Sequence, residues 1–128
     1  MKDLTKAEEQ VMQYLWKLEK AFLKDVVDSF PEPRPASTTV STVIRTLVDK
    51  GVVGFKRYGP ANQYYPLVSR QEYSGAYFKK LLRNYFSNSY KTFASFFTKD
   101  TELSLTELEE LKEMVEKQIE EKRKQEHS

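Results

Sequence analysis

The stretch Ser37-Thr38-Thr39-Val40-Ser41-Thr42-Val43-Ile44-Arg45-Thr46-Leu47-Val48-Asp49-Lys50-Gly51 decides how this chain is read. Val40, Val43, Ile44, Leu47 and Val48 recur at spacings of three and four, the repeat of a helix that buries one face. Gly51 follows Asp49 and Lys50 and supplies a stop, because glycine readily takes the left-handed conformation that closes helices. The other face carries Thr38, Ser41, Thr42 and Arg45 in a single stripe. Solvated helix faces are usually built from Glu and Lys. Ser and Thr are poor interior helix formers, since their hydroxyls compete for the backbone.

On the C-terminal side, residues 52–57 and 63–68 are β-prone runs around Tyr58-Gly59-Pro60-Ala61-Asn62. A Gly-Pro-Asn turn between such runs predicts a hairpin, with Lys56 and Arg57 on its outer edge. On the N-terminal side, Pro31, Pro33 and Pro35 form an extended spacer. Before it, Leu23, Val26, Val27 and Phe30 suggest a short helix over about 23–30. Thr5-x-x-Glu8 is a capping-box pattern that opens a helix over about 6–19. Val11, Met12, Leu15, Trp16 and Leu18 lie on its apolar face, with Trp16 read as core.

Three helices and a hairpin within 70 residues is the order of a winged helix-turn-helix, whose second helix of the pair enters the major groove. Here that is the helix at 38–50. Arg45 can contact guanine in bidentate fashion, and Thr38, Ser41 and Thr42 can donate, accept or touch a thymine methyl. Lys56, Arg57 and Thr39 are expected on phosphates, where contacts set register. The plainer alternative is a solvated polar face.

The remaining chain reads as helical. Tyr73, Tyr77, Leu81 and Tyr85 form one ladder, and Phe78, Leu82 and Phe86 another. Asn88-Ser89 breaks the pattern before a short helix with Phe93, Phe96 and Phe97. Ser104-x-x-Glu107 is a second capping box, opening a helix with Leu105, Leu108, Leu111, Val115 and Ile119 on one face. Nine aromatics fall between Tyr73 and Phe97, a large apolar surface for a small appendage. Either this region packs on the first domain, or it is a dimerisation unit built on Tyr77, Leu81, Tyr85, Phe93, Phe97, Leu108, Leu111 and Val115. A dimer would set two recognition helices about 34 Å apart, one turn of DNA. The organisation predicted is a mostly α chain with a small β wing. Residues 1–70 form the DNA-binding domain, 71–124 the helical dimerisation domain, and 125–128 a disordered tail.

Composition narrows the function. The chain has 128 residues, no cysteine and one histidine, His127. Disulfides, thiol catalysis, a histidine general base and a multi-histidine metal site are thereby excluded, and no cofactor is called for. No glycine-rich phosphate loop or spaced carboxylate pair argues for an enzyme. The net charge of +2 hides a split. Residues 1–70 carry 11 basic against 8 acidic side chains, residues 71–100 carry 5 against 2, and residues 101–128 carry 5 against 9. This balance permits a nucleic-acid partner without demanding one. It equally permits a winged-helix module that binds protein and no DNA. No apolar run reaches the ~18 residues of a membrane span, and the first residues lack a signal-peptide pattern. A cytoplasmic protein is expected.

Leu4-Thr-Lys-Ala-Glu-Glu-Gln-Val-Met-Gln-Tyr-Leu-Trp16 resembles the opening of the penicillinase-repressor and methicillin-resistance-repressor family. Thr38 to Gly51 resembles that family's recognition helix, Tyr64-Tyr-Pro66 its second wing strand, and Leu103 to Val115 its final dimer helix. The resemblance spans about residues 4 to 119. It implies a dimeric repressor on an inverted-repeat operator in double-stranded DNA. It also implies release when a membrane sensor-protease system triggers cleavage in the dimerisation domain. The family's cleaved bond is Asn-Phe, and Phe96-Phe97 stands at that place here. The cysteine-bearing metal hook of the copper-responsive branch has no counterpart in this sequence.

Overall fold

Thr5 opens the first helix, α1 (Lys6–Leu18), by accepting the Glu8 amide on its hydroxyl at 3.2 Å. This satisfies one of the donors that a helix start leaves free. The computed structural model describes residues 3–127. The reciprocal half of the expected capping box is not made: the Glu8 carboxylate turns into the fold and meets Lys50. Residues 21–22 then form a short strand, β1 (Ala21–Phe22), which no sequence pattern announced. In α2 (Leu23–Ser29) the Asp25 carboxylate accepts the Phe22 amide at 2.9 Å. Asp25 is therefore a cap of α2.

The proline spacer leads to α3 (Ser37–Asp49). Arg34 ties the spacer together, donating to the Phe30 carbonyl at 3.1 Å and to Glu32 at 2.9 Å. At the far end of α3, the Gly51 amide bonds the Val48 carbonyl at 3.0 Å and the Val52 amide bonds Leu47 at 3.2 Å. This is a Schellman closure with glycine in the left-handed position, at φ +78°. A Cβ at Gly51 would meet nothing within 4 Å, so Gly51→Ala costs backbone strain alone. Urea unfolding should show a loss of about 1 kcal/mol; an unchanged midpoint would mean the closure carries no strain.

Strands β2 (Val53–Tyr58) and β3 (Ala61–Pro66) pair antiparallel, and the sheet order is β1-β3-β2. The hairpin is tighter than the sequence suggested. Tyr58 pairs with Ala61, so Gly59-Pro60 alone make the turn and Asn62 already lies in β3 opposite Arg57. Gly59 has φ +57°, and a left-handed glycine followed by another loop residue suits a type II′ turn. The core gathers Val11, Met12 and Leu15 from α1, Val26 from α2, and Val40, Ile44 and Leu47 from α3. Ala21, Val52, Val53 and Val68 complete it. Trp16 lies at its margin, where the indole N–H donates to the Val68 carbonyl at 2.8 Å.

α4 (Arg70–Tyr85) starts with a capping box. Ser69 accepts the Glu72 amide at 3.0 Å, and Glu72 accepts the Ser69 amide at 3.2 Å. The chain divides into two compact units between Phe78 and Lys79, inside α4 and not at residue 70. The second unit continues through α5 (Tyr90–Asp100) and α6 (Leu105–Glu126). Ser87 and Asn88 take positive φ and break the helix, and Ser89 caps α5. Ser104 and Glu107 form the expected reciprocal box on α6. Those hydrogen bonds hold the Glu107 carboxyl below its ordinary range. Residues 125 and 126, expected in a disordered tail, continue α6; Ser128 lies outside the described residues.

Candidate nucleic-acid interface

The burial of Val40, Ile44 and Leu47 turns the opposite side of α3 outward. Thr38, Thr39, Thr42 and Arg45 are exposed there, and Ser41 is half-buried at the edge of the stripe. The expected residues thus share a surface, with Ser41 the least available. The hydroxyls are partly committed. Thr42 donates to the Thr38 carbonyl at 3.0 Å, and Thr46 donates to Thr42 at 3.1 Å. Thr42 therefore presents a methyl group and acceptor lone pairs, with its one donor spent on its own helix. Arg45 is the long donor of the stripe.

The C-terminal end of α3 is fixed to α1 by a contact the sequence did not reveal. Lys50 Nζ lies 2.6 and 2.8 Å from the two Glu8 carboxylate oxygens and 2.9 Å from the Asp3 carbonyl. The Glu8 side chain is 7% exposed and that of Lys50 21%. A cation at this end also suits the helix dipole.

The two wing cations do not share one edge. Neighbouring residues of a strand point to opposite faces, and the register assigns each its side. Phe22, Gln63 and Lys56 stand in one row across the sheet. Lys56 shares its face with Tyr58, its ammonium 5.3 Å from that ring, and the Phe22 and Tyr58 rings lie 6.2 Å apart. Arg57 shares the other face, that of Val53, Ala21 and Tyr64, which packs on the helices. Its Nε donates to the Gly59 carbonyl at 3.1 Å. Both cations are exposed.

In α4, Tyr77 and Tyr85 are exposed and Leu81 is half-buried, while Leu82 of the other ladder is buried. In the second unit, Phe93, Phe97, Leu108 and Leu111 are half-buried and Val115 is exposed. Phe86 meets Phe93 edge-on at 5.4 Å, and Phe93 stacks on Phe97 at 5.6 Å. Phe96 also packs on Phe86, at 5.5 Å, and the Phe96–Phe97 peptide lies inside α5. α6 leaves Leu105, Met114, Val115 and Ile119 exposed. Among the described residues, no helix is long and apolar enough to cross a membrane.

A family model described as penicillinase repressor matches residues 4–117. The methicillin resistance regulatory protein MecI of Mammaliicoccus sciuri is 25% identical over 116 residues, 90% of this chain and 94% of that protein. MecI of Staphylococcus aureus (strain N315) is 24% identical over 116 residues, with the same shares of 90% and 94%. Among solved structures, a possible transcriptional regulator for arsenical resistance matches with a TM-score of 0.43 and 17% identity, over 62% of this chain and 86% of that one.

Proposed function

This chain belongs to the penicillinase repressor family, whose members regulate transcription and are not enzymes, and we propose from that premise that it represses as a dimer on an inverted-repeat operator. The observation that carries the reading is α3. It buries three aliphatic residues and exposes Thr38, Thr39, Thr42 and Arg45 on one side, in the same unit as a hairpin bearing Lys56 and Arg57. In this reading α3 enters the major groove. Arg45 and the Ser/Thr stripe touch base edges, and Thr39 and the wing cations touch phosphate.

The homodimer would be made by the second half of the chain. The exposed Val115, Met114 and Ile119 of α6 and the aromatics Tyr77, Tyr85, Phe93 and Phe97 are the surfaces a second copy would cover. Leu81, Leu108 and Leu111 extend them. Release by a sensor-protease system belongs to the same reading. A protease acting at Phe96–Phe97 would first have to unwind that turn of α5, and the cut would weaken the dimer and hence the hold on two half-sites. A regulator of this kind acts in the cytoplasm, where the DNA is.

Selection from random duplexes, read together with the oligomeric state in solution, tests the proposal. An inverted repeat recovered by a dimer is the expected result. No enrichment, with no binding even at low salt, would overturn it in favour of a module that binds protein.

The wing supplies a sharper expectation. Arg57 lies on the helix-bearing face of the sheet and Lys56 on the opposite one. Arg57→Ala should weaken binding evenly across sequences and lower the salt slope by about one. Lys56→Ala should change the slope less. Anisotropy titrations at four salt concentrations measure both, and equal slopes in all three proteins would remove the wing from the phosphate contacts.

A further inference from the structure

Thr42 stands exposed in the outward stripe of α3, three residues before Arg45. Its hydroxyl hydrogen is already committed: it is donated to the Thr38 carbonyl one turn back, at 3.0 Å. Thr46 repeats the bond on the next turn, donating to the Thr42 carbonyl at 3.1 Å. A hydroxyl carries one hydrogen, and at Thr42 that hydrogen is used inside the helix. We infer that Thr42 reads the operator through its γ-methyl group, packed on the 5-methyl of a thymine in the major groove. This inference rests on the repressor reading above and deepens it, since it states which chemical group of the DNA the helix recognises at this position.

Threonine in a helix divides between two rotamers, because its hydroxyl can bond a carbonyl of the preceding turn. The bond to Thr38 selects one of them, so the direction of the methyl group is set before DNA arrives. A contact made by a group already in place costs little ordering on binding. Turning the hydroxyl onto a base would break the bond to Thr38 in order to make another, an exchange with little net gain. The thymine 5-methyl projects into the major groove as an apolar group that no other standard base carries. Thr46 makes the same bond but is half-buried, so of the two back-bonded threonines Thr42 is the one that reaches outward. The Thr42 oxygen retains lone pairs that can accept from an adenine or cytosine amino group. The experiment separates that rival from the methyl contact.

The test uses the full chain and the inverted repeat recovered by selection. Each thymine of a half-site is replaced in turn by deoxyuridine, together with its symmetric counterpart. This keeps the base pair and removes only the 5-methyl. Affinity for the thymine duplex over the uracil duplex is read as a ratio on one protein, so differences in folded fraction cancel. Burying one methyl group is worth about fourfold in affinity, and hence about fifteenfold over two half-sites. The wild type should show that ratio at one symmetric pair of thymines. Thr42→Val keeps a methyl group and should keep the ratio, whereas Thr42→Ser keeps the hydroxyl and should abolish it. A ratio kept by Thr42→Ser and lost by Thr42→Val would place the reading in the hydroxyl and refute the inference. It is equally refuted by a ratio indifferent to residue 42, by a ratio absent at every thymine, or by a half-site without thymine. Each of those outcomes leaves the repressor reading standing on the recovered repeat. If no repeat is recovered, that reading falls and takes this inference with it.

Discussion

Lys50→Met is expected to destabilise the protein by about 2–3 kcal/mol, because it strands a buried carboxylate. Glu8 is 7% exposed and its two oxygens meet the Lys50 ammonium at 2.6 and 2.8 Å. Removing one partner of such a pair usually costs about 3–5 kcal/mol. The lower figure applies here because the Lys50 side chain is 21% exposed and water screens part of the interaction. Glu8→Met with Lys50→Met removes both charges and should recover most of the loss, since a buried pair and a packed apolar pair differ little in net stability. Guanidinium unfolding of the two single variants and the double completes the cycle. A double variant as unstable as Lys50→Met alone would mean that packing, not charge, holds the two helices here.

Arg45→Ala is expected to cut sequence preference by about 5- to 150-fold while leaving the fold intact. The side chain is exposed on the outward stripe of α3, so its removal opens no cavity. A bidentate contact to guanine discriminates against the wrong base by about 1–3 kcal/mol, or about 5- to 150-fold. The variant should keep salt-dependent binding to unrelated duplex and lose that share of its advantage on the selected site. Competition between specific and random duplexes reads that ratio. A ratio equal to the wild type would remove Arg45 from base reading, and the proposal would then rest on Ser41 and the threonines.

The helices were legible because their signals are local. The three-and-four repeat of α3 and the Gly51 stop are written within 15 residues, and the structure closes that helix with the bonds such a stop implies. The Ser104 box on α6 is equally local. The Ser69-x-x-Glu72 box is just as local, although the aromatic ladder beginning at Tyr73 is the more conspicuous pattern in that stretch. Strand β1 could not be read. Two residues carry no periodicity, and they are extended because β3 offers them an edge. The Glu8–Lys50 pair joins residues 42 apart, and locally Thr5-x-x-Glu8 reads as a capping box. The opposed faces of Lys56 and Arg57 follow from strand alternation, but only the register shows which of them faces the helices. α6 was expected to have one apolar face; that much of this face stays exposed is a property of the folded chain alone.

The connector between α2 and α3 bears on the entropy of folding. Pro31, Pro33 and Pro35 restrict every second φ before the chain folds. An unfolded segment with fewer accessible conformations has less freedom to lose, and this stabilises the native state by about 0.4–1 kcal/mol per compatible proline. Arg34 then secures the same segment from the folded side, through the Phe30 carbonyl and Glu32. The positioning of α3 after α2 therefore draws on the stiffness of the denatured chain as well as on native contacts. A loop of equal length made of glycine and serine could preserve the core contacts and still yield a less stable protein.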